Sequence, residues 1–251
     1  MLGDGLFETI RCASGKPIDL EAHWKRLTAG ANYLQLISPL SVDETQHIIK
    51  KLLNANSLMQ NAGARITVTR GPGARGLSIP KPGSPTILIT VFTRQGNTHS
   101  ISLSLSDICI NEQSPITKFK TLNYLDKIIA RQQAQNNHFD DALLLNTKGH
   151  IVSTTTANLF FVKDNTLHTP ALTEGPLPGI TREQILSFAE KQKLSVEEGA
   201  YTIDDVLRAE GAFITNSLIG LCPVSRLDQT SFPSFSRYSS LITLLHHSLS
   251  G

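Results

Sequence analysis

Ala142-Leu143-Leu144-Leu145-Asn146-Thr147-Lys148-Gly149-His150-Ile151-Val152-Ser153-Thr154-Thr155-Thr156-Ala157-Asn158-Leu159-Phe160-Phe161-Val162-Lys163-Asp164-Asn165 alternates apolar runs of strand length with turn residues. Turns at Thr147-Lys148-Gly149 and Lys163-Asp164-Asn165 make two hairpin-like units, so the strands they join read as antiparallel. The hydroxyl-rich Ser153-Thr154-Thr155-Thr156-Ala157-Asn158 between them reads first as a polar bend whose side chains bond to their own backbone, and also as a candidate cofactor edge.

Outward from this segment, strands are expected at Leu6 to Arg11, Ala64 to Arg70, Thr86 to Phe92 and Ile101 to Leu105. One helix begins at Asp19, where Leu20, Trp24, Leu27, Ala31 and Leu34 recur at helical steps. Ser41-Val42-Asp43-Glu44 is a capping-box pattern ahead of Ile48, Ile49, Leu52 and Leu53 on a second helix. Further helices are expected from Tyr124 to Asn136, from Thr181, from Thr202 and near Leu241. Helices and strands mix without regular alternation, so the expected class is α+β. The polar Thr93-Arg94-Gln95-Gly96-Asn97-Thr98-His99-Ser100 is the expected linker, giving a small domain over 1–94 and a larger one over 98–251.

Composition narrows the function. The chain has 251 residues, 40% hydrophobic and 18% charged, with a net charge of +2; this is ample for a packed core and announces neither a basic nucleic-acid face nor an acidic tail. A small-molecule amine or carboxylate substrate is the default. Cys12, Cys109 and Cys222 are odd in number and far apart, which fits a reduced, cytoplasmic protein without a metal site. No apolar run reaches the roughly 18 residues of a membrane span, and the start lacks a signal-peptide pattern.

Several motifs carry candidate chemistry. Gly175-Pro176-Leu177-Pro178-Gly179-Ile180-Thr181-Arg182-Glu183 leads into a helix whose free N–H groups suit a phosphate; its plainer reading is a loop capped by Thr181. Thr69-Arg70-Gly71-Pro72-Gly73-Ala74-Arg75-Gly76 lacks the Gly-Lys-Ser/Thr ending of a P-loop, but Arg75 could grip a carboxylate with two parallel bonds. Lys118-Phe119-Lys120-Thr121-Leu122-Asn123-Tyr124 offers two lysines, either a nucleophile only where its pocket removes the proton. The histidines, including His246-His247, show no triad-like relation.

Taken in order, Gly3-Asp4-Gly5-Leu6-Phe7-Glu8-Thr9-Ile10-Arg11, His23-Trp24-Lys25-Arg26-Leu27, the Arg70 to Gly76 loop, Lys120-Thr121-Leu122-Asn123, Asn158-Leu159-Phe160, Pro178-Gly179-Ile180-Thr181-Arg182 and Thr215-Asn216-Ser217-Leu218 with Pro223-Val224 resemble the fold-type IV pyridoxal-phosphate enzymes. That family holds branched-chain and D-amino-acid aminotransferases and the aminodeoxychorismate lyases, and the run from Thr215 to Gly220 resembles the lyases most. The resemblance implies a two-domain α+β homodimer with pyridoxal phosphate between a small N-terminal and a larger C-terminal domain. It implies Lys120 as the Schiff-base lysine. Arg26, Ile180, Thr181 and Ser217 are implied at the phosphate, Leu177 beneath the pyridine ring, Tyr124 at the ring hydroxyl, and Arg75 and Asn216 on the substrate.

The chemistry so implied is proton removal by Lys120, loss of an enolpyruvyl group as pyruvate, and aromatisation to 4-aminobenzoate. An aminotransferase on the same scaffold and a non-catalytic, vestigial binding protein are the alternatives. Two departures from the pattern stand out. Ser153 occupies the position where the family usually has a carboxylate facing the pyridine nitrogen, and Met1 lies almost on the Gly-Asp-Gly motif where two short strands usually precede it.

Overall fold

A computed structural model describes residues 3–36, 40–73, 76–80, 83–94 and 100–233. By its contacts the chain divides into two units: residues 1–96 with 119–123, and residues 97–118 with 124–251. Phe119–Asn123, which follows the linker in sequence, thus belongs to the first unit.

The first unit contains β1 (Gly5–Ala13), β2 (Lys16–Pro17), α1 (Leu20–Tyr33), α2 (Val42–Ala55), β3 (Ala62–Thr69) and β4 (Thr86–Thr93). Its described strands form an antiparallel sheet in the order β2-β1-β3-β4. The period-2 alternation of β1 sends Leu6, Ile10 and Cys12 into a core with Leu27, Ala31, Ile49, Leu53, Ile66 and Val68. The capping box at Ser41 forms as expected, Ser41 and Glu44 each accepting from the other's backbone N–H. Asp19 takes the N-cap position of α1 in a left-handed conformation, with no capping bond from its side chain.

The second unit contains β5 (Ile101–Ile110), α3 (Leu125–Asn136), β6 (Asp141–Asn146), β7 (Ile151–Thr154), β8 (Asn158–Lys163), β9 (Thr166–Pro170), α4 (Ile180–Lys191), β10 (Val196–Gly199), α5 (Ile203–Leu207), β11 (Gly211–Asn216), β12 (Gly220–Leu227) and β13 (Thr230–Ser231). The sheet runs β10-β9-β8-β11-β12-β5-β6-β7, with β13 on β12. Both expected hairpins are antiparallel: β6 with β7, and β8 with β9. The second turns through Asp164 and Asn165, both at positive φ, the backbone a two-residue hairpin favours. Pairs β12–β5, β5–β6 and β9–β10 are parallel, so the sheet is mixed.

One face of this sheet carries Phe160, Val162, Leu167, Phe213 and Leu221 against Ile185 of α4; the other carries Leu159, Phe161, Ala212, Ile214, Cys222 and Val224 against Val206 of α5. Phe160 and Phe213 stack with centroids 5.2 Å apart. Ala130 and Ala134 bring α3 close over Ala142 and Leu144.

Three differences from the sequence reading have local causes. The capped-loop reading of Thr181 is corrected, because α4 begins at Ile180 with Gly179 in the N-cap position. Strand β5 runs on to Ile110 because it gains a second partner stretch beyond a bulge, Cys109 opposite Leu145 and Ile110 opposite Asn146. The short strand β10 pairs in parallel with β9, a contact made only after α4 has intervened. The expected helix near Leu241 and the pair His246-His247 lie outside the described residues, as does Arg75.

Candidate active site

In the first unit the site is organised by β1. Glu8 lies in the row of Leu6 and Ile10, so the strand's own period carries a carboxylate into the apolar core, where it is 1% exposed. A charge there needs partners. Arg26 and His23, one turn apart on α1, supply them: Arg26 donates from Nε at 2.8 Å and from Nη2 at 2.7 Å, and His23 Nδ1 lies 2.7 Å from the same carboxylate. Burial alone would push the Glu8 pKa up, but the bonds from Arg26 and His23 outweigh it and hold it below the usual range.

On β1 the odd-numbered Phe7 points the other way. The Phe7 N–H donates to the Lys120 carbonyl at 2.9 Å, Leu122 donates back to Gly5, and Leu6 bridges Thr121, so Phe119–Asn123 lies along β1 as an extra extended segment. That places Lys120 Nζ 4.4 Å and the Arg65 guanidinium 3.9 Å from the centre of the Phe7 ring. Lys118, by contrast, ends an exposed helical turn. Arg70 has a fastening role: its guanidinium grips Asp4 at 2.8 and 2.9 Å and caps the Leu34 and Gln35 carbonyls after α1.

In the second unit, Asn158 ties the loop at Leu177 and Gly179, just ahead of Ile180 and Thr181, to the sheet, and stands opposite Thr215, the residue before Asn216 and Ser217. The Asn158 Nδ2 donates to the Leu177 carbonyl at 2.9 Å, while a Cβ added to Gly179 would lie 2.0 Å from the Asn158 Oδ1, so only glycine lets the loop pass this close. The loop is tied at its start as well, where Asn146 and His150 bond to Glu174. The Asn216 side chain shapes the following turn, accepting from the Leu218 and Ile219 N–H groups at 2.9 Å and donating to the Thr156 carbonyl.

Ser153 is 5% exposed, opposite Leu144 in the β6–β7 pair, and donates its hydroxyl to the Thr154 carbonyl at 2.9 Å. Tyr124 occupies the N-cap position of α3 and Lys127 stands one turn further on, with Nζ 4.8 Å from the Tyr124 ring centre. Burial lowers the Lys127 pKa, an effect that Asp141 partly offsets. Asp141 itself accepts from the Thr155 hydroxyl and the Ala142 N–H and pairs with Arg131 at 3.4 Å. The sequence reading missed Glu8 and Lys127. An acid in the apolar row of β1, with His23 and Arg26 three residues apart on the next helix, was the signal available for the first.

The second unit also fits a phosphate. The N-terminal turn of α4 presents backbone donors without side-chain capping, and the Thr215 hydroxyl, fully buried on β11, has no hydrogen-bond partner among the described residues. Among the described residues no group of His, Cys, Asp and Glu side chains could hold a metal ion, and no helix is long and apolar enough to cross a membrane.

Comparison with known proteins agrees with this geometry. The model of the class IV amino-transferase family matches residues 5–227. A putative branched-chain-amino-acid aminotransferase of Methanocaldococcus jannaschii is 33% identical over 91% of this chain and 80% of its own length. An aminodeoxychorismate lyase of Vibrio harveyi is 29% identical over 89% of this chain and 83% of its own. The crystal structure of a putative 4-amino-4-deoxychorismate lyase from Legionella pneumophila superposes with a TM-score of 0.93 at 34% identity, covering 98% of this chain and 92% of that one. The chain therefore belongs to the class IV aminotransferase family, the fold-type IV enzymes that work with pyridoxal phosphate.

Proposed function

We propose that this enzyme is a lyase that converts 4-amino-4-deoxychorismate to 4-aminobenzoate and pyruvate, working as a cytoplasmic homodimer built from domains 1–94 and 98–251. Similarity to the Vibrio harveyi and Legionella pneumophila proteins supports the substrate. The observation that carries the choice of reaction is Ser153, a buried and uncharged residue whose hydroxyl is given to a backbone carbonyl.

When bound, pyridoxal phosphate supplies an electron sink for the carbon that loses its proton. Lys120 would hold the cofactor, and its amine would carry a proton from the substrate carbon to the departing enolpyruvyl group. Arg26, Ile180, Thr181 and Ser217 would hold the phosphate, Leu177 would support the ring, and Tyr124 would donate to its hydroxyl. Arg75 and Asn216 hold the carboxylated substrate. Ser153 carries no charge, so it would not favour a protonated ring nitrogen as a carboxylate would. A weaker sink would disfavour transamination, which depends on it for longer than elimination does. Elimination expels its leaving group as the proton departs, and aromatisation drives it forward.

The second reading is an aminotransferase, favoured by the Methanocaldococcus jannaschii relative. Assays supplying aminodeoxychorismate, and separately an amino acid with a keto acid, distinguish the two. Wild type should release 4-aminobenzoate and pyruvate with negligible transamination, and Ser153→Glu should raise half-transamination relative to elimination. A robust wild-type transaminase, or an unchanged ratio in the variant, overturns the lyase reading.

A further inference from the structure

Thr215 is 0% exposed and its hydroxyl has no partner among the described residues. Leaving a buried hydroxyl unsatisfied is costly, and valine would fill the same volume without that penalty. The register fixes where the side chain points. Thr215 stands opposite Leu221 on β12 and Asn158 on β8, and directly paired residues share a face. Leu221, with Phe213 two residues before Thr215, lies on the face that α4 covers. Asn158, the other cross-strand neighbour, reaches the Leu177 carbonyl and abuts Gly179, the N-cap of α4. The orphan hydroxyl is thus on the α4 face, beside the residue that holds the start of that 12-residue helix.

We infer that Thr215 is a phosphate ligand, donating its hydroxyl to the phosphate monoester seated on the N-terminal turn of α4. The inference rests on the reading of α4 as the cofactor's phosphate site and adds a donor from the sheet beneath it. Backbone N–H groups of the helix turn approach the dianion from one side, and the threonine hydroxyl from the strand side. A donor that meets its acceptor only when the ligand arrives costs stability in the empty protein and returns it on binding.

Thr215→Val and Thr215→Ser, prepared free of cofactor, are titrated with pyridoxal phosphate and with phosphate-free pyridoxal, following the absorbance of the bound ring, and are melted with and without pyridoxal phosphate. Thr215→Val should bind pyridoxal phosphate about tenfold more weakly, the loss expected for one hydrogen bond to a charged group. Its affinity for pyridoxal should not change, and Thr215→Ser should restore tight binding. Cofactor-free Thr215→Val should melt at or above wild type, and the order should reverse with the cofactor bound.

Wild type that binds both compounds alike overturns the phosphate site and this inference together. Wild type that discriminates, with Thr215→Val discriminating equally, overturns this inference alone. So does a cofactor-free Thr215→Val that melts below wild type, because the hydroxyl would then serve the fold, through a buried water for example.

Discussion

Removing Arg26 should destabilise the protein before any cofactor is considered, because the Glu8 carboxylate would stay in the core with His23 as its remaining partner. Breaking a buried pair by deleting one member costs about 3–5 kcal/mol. Glu8→Ala should cost somewhat less, about 2–3 kcal/mol, because the Arg26 side chain is 12% exposed and can turn part of its charge towards water. With both gone no uncompensated charge remains, so the double variant should be more stable than the sum of the two losses by about 2 kcal/mol or more. Trp24 is the sole tryptophan and packs against the same core, so its fluorescence during urea unfolding of cofactor-free protein reports on this unit. At an m value of about 1–3 kcal/mol/M each single loss moves the midpoint by roughly 0.7 M or more. The pH sign follows from the lowered Glu8 pKa: its contribution is complete above the ordinary value of 4.5 and fades as pH falls through the folded value. The coupling should therefore be full at pH 7 and shrink only in acid. A coupling below about 0.5 kcal/mol at pH 7 would refute the charge-pair account.

Lys120→Ala should abolish turnover and leave the urea midpoint close to wild type, and borohydride reduction followed by mass spectrometry should place the cofactor on Lys120; a label on Lys118 overturns the assignment. Gly179→Ala should cost about 1–3 kcal/mol in thermal unfolding, because its methyl group drives Asn158 off the Leu177 carbonyl. Adding Asn158→Ala to that variant should relieve the clash, and a Gly179→Ala protein as stable as wild type would show that the loop has room to shift.

Local chemistry made much of this fold legible. The turns at 147–149 and 163–165, the Ser41 box and the apolar stripe of α1 each state their structure within a few residues, and each forms. Long-range pairings carry no such mark. Nothing in Val196–Gly199 announces that it will lie parallel to β9, and nothing in Phe119–Asn123 announces that it will run beside β1, more than a hundred residues away in sequence. The same limit applies to roles. Arg70 and Arg75 look equivalent in their Gly-rich loop, yet Arg70 is committed to Asp4 and the end of α1, partners that only the folded chain brings to it. Asn216 is expected on the substrate, and the fold adds a part that its sequence does not announce, the building of the turn that carries Ser217 and Leu218.

What an uncharged residue at position 153 does depends on whether another acid of the second unit can take the place of the missing one. If a neighbouring carboxylate took over the missing one, the serine would be a neutral substitution. The buried acids of the β6–β7 region are already committed. Asp141 is held by Thr155, the Ala142 N–H and Arg131. Glu174 is held by Asn146 and His150, and Glu112 through Oε2 by the Thr147 hydroxyl and N–H at the hairpin turn. Turning any of these toward Ser153 would break two or more hydrogen bonds inside the protein, at about 1.5–3 kcal/mol for each bond to a charged group. An added glutamate at 153 would break none of these bonds, because it would replace a hydroxyl whose bond among the described residues is to the neighbouring carbonyl. On the lyase reading the electron demand of the site is set at one position on β7, and a single substitution there is expected to shift the balance between elimination and transamination.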